Sequence, residues 1–362
     1  MNVRADQLLS LTHSILLAWG MREGDAKITA ELMVETDLRA IDSHGVSMLI
    51  MYEKMRERGT LNMKPTRTVV RDTPVLALID ADAGLGHPVA REAMLMACDK
   101  ARNYGIGAVG VRNSHHFGAT GLYAEMAATQ GLLGLVTSST SVASVIPTHG
   151  AEPLLGTNPI AFAAPGNRHP PFLLDMSTST VAVNKVKVYA LNGIDLPAGW
   201  VVDGRGQYVT DSALALALCH AQKDGGVTPL GGGVDTGGHK GYGLSLMVQI
   251  LSSALTGGSF SPVRNRQGVG SVPHNIGHFF LAIDPVAFRS EGEFEQDVDE
   301  VFDILKNSTP INSHQPVQVP GDPERASRTE RELNGIPMPE ALLTHLRAIA
   351  DNAGVPYALA EA

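Results

Sequence analysis

Apolar residues recur at helical spacing over residues 4–20 and 25–40, so the chain is expected to open on two amphipathic helices. In the second, Ile28, Leu32, Met33, Thr36 and Leu38 follow the repeat. Asp25 is the expected N-cap, its carboxylate accepting from a first-turn N–H. A third helix is expected over 46–58, ending at Gly59. The period then shortens. Stretches 75–80, 106–111, 132–137, 160–164 and 172–175 read as strands, with helices over 87–103 and 118–130 between them. Strands and helices alternating across short glycine turns argue for an α/β layer. Residues 192–238 are glycine-rich and loop-like apart from a helical piece at 211–222. A long helix over 239–255, a strand over 279–283 and a helix over 293–307 follow, the last carrying Phe294, Val298, Val301, Phe302 and Leu305. A polar loop, Pro320-Gly321-Asp322-Pro323-Glu324, leads to a final helix over 339–352.

Composition narrows the partners. The 362 residues are 44% hydrophobic and 18% charged, enough apolar material for a sizeable core. A net charge of −9 argues against a nucleic-acid partner, because phosphate backbones select basic faces. No apolar run approaches the roughly 18 residues that mark a membrane span. No leader is expected either, since Asp6 falls early and the apolar stretch 15–19 is short. Cys98 and Cys219 stand far apart, outside any C-x-x-C, and read as core residues in a reducing compartment. The expected location is the cytoplasm.

Four segments could carry chemistry. Gly84-Leu85-Gly86-His87-Pro88-Val89-Ala90 fits the G-x-G-x-x-A dinucleotide fingerprint, but the next strand ends at Val111-Arg112-Asn113 without the acid that should bind the ribose. It therefore reads as a tight turn. Asn113-Ser114-His115-His116-Phe117-Gly118 closes a strand and precedes a helix, at the sheet edge where open α/β folds bind ligands. A histidine there can take and return a proton near neutral pH, as alcohol oxidation by hydride transfer requires. Asp42-Ser43-His44-Gly45 can orient a base, or simply cap the next helix through Asp42 or Ser43. No G-x-S-x-G elbow supports a hydrolase triad. Gly231 to Gly243, ending Gly237-Gly238-His239-Lys240-Gly241-Tyr242-Gly243, offers backbone N–H groups and a lysine at a helix start, a possible phosphate cradle without the P-loop spacing. The 13 histidines form no H-E-x-x-H and no i, i+4 pair beside a carboxylate, so no metal site is expected.

Taken in order, several segments resemble the malate/L-lactate dehydrogenase family of the non-Rossmann type, also called sulfolactate or ureidoglycolate dehydrogenase-like. They are Asp42-Ser43-His44-Gly45-Val46, Asn113 to Gly118, Gly156-Thr157-Asn158-Pro159-Ile160-Ala161, Leu174-Asp175-Met176-Ser177-Thr178-Ser179, His239-Lys240-Gly241-Tyr242-Gly243-Leu244 and Pro320 to Glu324. The resemblance covers nearly the whole chain. It implies an α/β, non-Rossmann fold with a mixed sheet, helical N- and C-terminal segments, and a homodimer whose active site lies in a cleft between domains. It divides the chain into a helical segment 1–72 that packs with the C-terminal helices, an α/β part 73–125 carrying the histidine loop, a cofactor-binding α/β domain 126–290, and a helical segment 291–362 returning to the N-terminal domain.

The resemblance also implies a reaction: hydride transfer between NAD or NADP and a small 2-hydroxy acid, with His116 as acid/base and Ser43 and His44 supporting the proton path. Met48, Tyr52, Asn158 and Lys185 would meet the substrate. Gly118, Ala119, Thr120, Ser139, Ser141, Asp175, Met176, Ser177, His239, Lys240, Gly321, Asp322 and Glu324 would meet the cofactor. One position departs from the family pattern Ser-His-Gly-Val-x-Arg, whose arginine suits a substrate carboxylate. Here it is Met48. Either Arg39 or Lys185 replaces that cation, or the substrate has a larger or less polar side chain than lactate or malate. Arg112 and Arg325 are the candidates to bind the 2′-phosphate of NADP. Two further readings remain: a reductase of cyclic imino acids, and a non-catalytic nucleotide-binding protein that has no need of His116.

Overall fold

The computed structural model describes residues 1–266 and 272–360. A short strand β1 (Asn2–Val3) leads into α1 (Ala5–Ala18) and α2 (Glu23–Leu38), and a single 3-10 turn at Val46–Met48 leads into α3 (Leu49–Glu57). The α/β part runs β2 (Thr68–Asp72), β3 (Leu76–Asp80), α4 (Gly86–Tyr104), β4 (Ile106–Ser114), α5 (Gly121–Ala128), β5 (Leu133–Ser138), β6 (Ile160–Ala164) and β7 (Phe172–Met176). Next come α6 (Val183–Asn192), β8 (Val201–Val202), α7 (Ser212–Ala221), β9 (Gly226–Val227), α8 (Gly238–Gln249), α9 (Ser261–Asn265) and β10 (Ile276–Ile283). The chain closes with α10 (Glu293–Lys306), α11 (Asp322–Asn334), β11 (Ile336–Pro337) and α12 (Glu340–Ala353).

Seven strands form one mixed sheet in the order β2-β3-β4-β10-β5-β6-β7. Only β3 and β4 run parallel; every other neighbouring pair is antiparallel. This order is not that of a doubly wound dinucleotide fold. The register has a direct consequence for function. Ser114 faces Ile276, Ser138 faces His278, Thr137 faces Ile160, and Ile160 faces Met176. The ends of β4, β5 and β7 and the starts of β10 and β6 therefore share one sheet edge, which carries the histidine turn, Ser139–Ser141, Asn158 and Asp175–Ser177.

Three apolar clusters support this edge. The first lies between the sheet and α4 and α5; Ala90, Ala93, Ala97 and Ala101 line α4 at helical spacing, and such small side chains let the helix lie close on β4. The second joins α1–α3 to α12 and β11. The third knits the 142–260 stretch around Val186, Val201 and Val227. α10 packs elsewhere: its buried Asp299 accepts the N–H groups of Asn167, Arg168 and His169.

Several expectations need correction. Asp25 does not cap α2, which starts after Arg22; its carboxylate pairs with Arg67 at 3.0 Å. The polar loop beginning at Pro320 turns helical at Asp322. α11 buries no side chain and is held by ion pairs, Arg328 to Glu35 and Arg331 to Asp42, so it carries no apolar repeat. β2 is missed for a similar reason, being exposed along its whole length.

Candidate active site

After β4 the chain turns through His115, His116, Phe117 and Gly118 before α5. Backbone pairing holds this turn from one side. The Ala83 N–H donates to the Asn113 carbonyl (2.8 Å), the Gly86 N–H to the His116 carbonyl (3.0 Å), and the His115 N–H to the Gly84 carbonyl (3.1 Å). A Cβ on Gly86 would stand 2.5 Å from the His115 carbonyl oxygen and 2.6 Å from Phe117 Cβ. The G-x-G motif thus serves a close approach to the histidine turn. From the other side, Phe117 stacks on His278 with centroids 4.3 Å apart, and the Tyr123 hydroxyl donates to the Phe117 carbonyl. His278 is fixed at both ring nitrogens by the hydroxyls of Ser138 (2.8 Å) and Ser114 (3.0 Å).

His116 is partly open to solvent. Its Nδ1 meets the Tyr52 hydroxyl at 2.7 Å and the Gly118 N–H at 3.3 Å. The Tyr52 hydroxyl donates to a bare Nδ1 and accepts from a protonated one, so both tautomers of the neutral ring fit this pair. Nε2 bonds to no described residue. Burial pushes the His116 pKa well below 6.5, and the neighbouring His44, His87, His278 and His274 push it the same way. The His44 ring lies 5.4 Å from that of His116, and its Nδ1 is 2.7 Å from the Ser43 hydroxyl. Four expected residues, Ser43, His44, Tyr52 and His116, are therefore together.

The Ser43–Val46 turn is shaped by a residue the sequence did not single out. Asp37, almost wholly buried, accepts the Val46 N–H at 2.8 Å. Burial pushes its carboxyl up to about 8. The expected caps do other work: Asp42 pairs with Arg331, and Ser43 with His44. His87 and His115 lie inside the Gly84–Ala90 and Asn113–Gly118 segments but were given no role of their own. Both are buried, and burial pushes each down to about 3. Neither ring nitrogen of His87 has a partner among the described residues. His115 is 2.8 Å from the Thr60 carbonyl through Nε2 and packs on His274, 4.9 Å away.

The expected cofactor residues are spread along the same edge. Gly118, Ala119 and Thr120 lead into α5, whose first N–H, from Gly121, donates to exposed Asp175 at 2.6 Å. Met176 ends β7 and Ser177 follows it, and Ser139 exchanges hydrogen bonds with the backbone of Gly277 at the start of β10. Buried Asn158 donates to the Ser245 carbonyl (3.1 Å) and to Gln249 (3.1 Å) on α8, leaving its Oδ1 without a described partner. His239 and Lys240 are exposed at the start of α8. Gly321 precedes α11. Asp322 is taken up by Lys306 (2.9 Å) and Arg325 (3.0 Å), and Glu324 stands in the first turn of α11.

The structure does not gather every expected residue. Lys185 lies on α6 with its ammonium 5.3 Å from the Trp200 ring, and nothing ties it to His116. Arg39 is committed to Glu35 (2.8 Å) and Glu125 (2.6 Å). Met48 packs against the α1–α3 cluster. Arg112 pairs with Asp80 at 3.0 Å, and Arg325 with Asp322 and the Pro171 carbonyl, so both candidates for a 2′-phosphate are engaged. Among the described residues no cluster of three metal-ligating side chains occurs, and no helix is long and apolar enough to cross a membrane.

Comparison with known proteins agrees with this architecture. Residues 3–347 match the family model described as malate/L-lactate dehydrogenase. The chain is 40% identical over 352 residues to a malate dehydrogenase of Pyrococcus abyssi, covering 97% of this chain and 94% of that one. The solved sulfolactate dehydrogenase of Methanocaldococcus jannaschii superposes with a TM-score of 0.87 at 34% identity, over 98% of both chains. The delta1-piperideine-2-carboxylate reductase of Pseudomonas syringae pvar. tomato superposes with a TM-score of 0.83 at 30% identity, over 97% of this chain and all of that one (100%).

Proposed function

Because this chain belongs to the malate/L-lactate dehydrogenase family, we propose that it moves a hydride between NAD or NADP and C2 of a small 2-hydroxy acid or its 2-oxo partner, with His116 handling the hydroxyl proton. The observation that carries the proposal is the state of His116: partly open, neutral, engaged at Nδ1 and unengaged at Nε2. With its hydrogen on Nδ1, the neutral ring accepts the alcohol proton at Nε2 during oxidation and, as imidazolium, returns it from Nε2 during reduction. Tyr52 suits both states, because its hydroxyl accepts from the Nδ1–H that the ring carries when neutral and as imidazolium. An anionic substrate beside the ring raises the His116 pKa, so binding of a 2-oxo acid draws in the proton it will receive. Ser43 holds the His44 ring beside His116.

A bound nicotinamide supplies or removes the hydride. The edge residues fit such a cofactor. Asp175 is an exposed acceptor suited to ribose hydroxyls, Ser177 adds a hydroxyl, Asn158 Oδ1 is a buried acceptor lacking a described partner, and Lys240 brings a cation to the start of α8. With Met48 at the family's arginine position, either another cation holds the substrate carboxylate or the substrate carries a larger or less polar side chain than malate. The same reading places the enzyme in the cytoplasm as a homodimer; Met247, Ile250 and Leu255 expose apolar surface that a second copy can cover.

A second reading, reduction of cyclic 2-imino acids, draws on the likeness to the piperideine-carboxylate reductase, since C=N and C=O accept a hydride in the same geometry. Purified protein tested against 2-oxo acids and cyclic imino acids with NADH and NADPH decides between them. Oxidation of the nicotinamide with bulky 2-oxo acids, faster than with oxaloacetate, is expected. Turnover confined to imino acids favours the second reading, and no turnover with either class leaves the nucleotide-binding protein.

A further inference from the structure

Arg264, on α9, is 8% exposed. Its Nη2 donates to the Ser141 carbonyl (2.6 Å) and to Asn265 Oδ1 (3.0 Å), and its Nη1 to the His274 carbonyl (3.4 Å). All three acceptors are neutral. Arg39, Arg67 and Arg331, which are less deeply sheltered, each pair with a carboxylate; no carboxylate of a described residue pairs with Arg264. A buried cation without an anion is costly. Burial indeed lowers the Arg264 pKa, with no anion opposing the shift.

Arg264 borders a cavity of about 350 Å3 shared with Asn113, Asn275, Ser259, Arg112 and Asp80. Arg112 and Asp80 offset each other at 3.0 Å, so the net charge facing the cavity is the single positive charge of Arg264. The Nε–H and one Nη1 hydrogen make no bond to a described residue. Asn113 lies three residues before His116, and Arg264 itself holds the carbonyl of Ser141. The cavity therefore touches the end of β4 that leads into the His116 turn and the arginine that holds Ser141, and its volume suits a small organic acid.

We propose that Arg264 anchors a carboxylate-binding site in this cavity. A carboxylate supplies the missing negative charge and accepts the uncommitted guanidinium hydrogens. The choice of a carboxylate among oxyanions rests on the proposed reaction; the demand for an anion does not. The carboxylate has two possible sources: the substrate's own, taking the place left by Met48, or a free acid bound beside the catalytic turn.

Calorimetric titration of the full chain with malonate tests the site without turnover. Wild type and an Arg205→Gln control, altered at an exposed turn, are expected to bind alike. Arg264→Gln should bind roughly tenfold to a hundredfold more weakly, the range for a charged hydrogen bond, and Arg264→Lys should recover part of the loss. Kinetics then separate the sources. A raised KM for the 2-oxo acid with unchanged KM for the nicotinamide assigns the substrate carboxylate; unchanged KM values with loss of a malonate effect on kcat assign a free acid. Undiminished malonate binding by a folded Arg264→Gln protein, or none by wild type, overturns the proposal. Malonate binding that needs Arg264 in a protein without dehydrogenase activity upholds the site and refutes the reaction.

Discussion

Two glycine-rich turns open helices in this protein, and they use glycine for different ends. The turn into α4 lies on another segment: a Cβ on Gly86 would strike the carbonyl oxygen of His115, and its N–H is spent on His116. The turn into α8 folds on itself: a Cβ on Gly238 would stand 2.0 Å from the Gly232 carbonyl oxygen, and one on Gly241 would stand 2.2 Å from the Leu230 carbonyl oxygen. The first is short and reaches the His116 turn. The second is long and ends with His239 and Lys240 exposed. A glycine motif names a place where backbone must come close; what it comes close to is decided by the fold.

The comparison makes graded predictions. His116 is the proposed acid/base, so His116→Ala sets the largest loss, about 10²–10⁴ in kcat, the usual contribution of a positioned acid/base. Nicotinamide binding, followed by fluorescence, should persist. Gly86→Ala should lower kcat by about a hundredfold, the scale of a displacement near 1 Å, whereas Gly243→Ala, with open space around its Cβ, should leave kcat within about twofold. Equal effects would erase the distinction between the turns. Tyr52→Phe removes the hydrogen bond at His116 Nδ1 and should cost about tenfold in kcat, with the pH dependence of kcat shifted.

The smallest effect concerns stability. His87, His115 and His278 are held near 3 and His274 near 4 by burial, against 6.5 when exposed. They stay neutral in the fold while the unfolded chain takes up protons, so stability falls as pH drops below about 6.5. Asp37, pushed up to about 8, acts with the opposite sign and loses stability as pH rises from roughly 4. Histidines outnumber it, so the urea midpoint should decrease between pH 7 and pH 5; a flat profile contradicts the neutral histidine cluster.

The sequence made legible what repeats or stands in order. The helices α1, α4 and α12 follow from apolar period, and His116 from its place after a strand together with the ordered family motifs. Charge-held and exposed elements were invisible to that method: α11 relies on Arg328 and Arg331 reaching Glu35 and Asp42, almost 300 residues away. Asp37 and His278 lie on regular elements, and only tertiary packing turns them toward the site. Arg264 looks like an ordinary charged residue in the sequence; its shelter and its lack of a carboxylate partner emerge only in three dimensions.

The central claim is that a hydride passes between the nicotinamide and C2 while His116 manages the proton. Reduction of a 2-oxo acid with NADH or NADPH deuterated at the transferable C4 position, followed by mass spectrometry of the product, tests it most directly. The account predicts one deuterium at C2 of the hydroxy acid made by wild type and almost no product from His116→Ala protein that still binds the nicotinamide. Product lacking deuterium at C2, or labelled product formed equally well without His116, would contradict it.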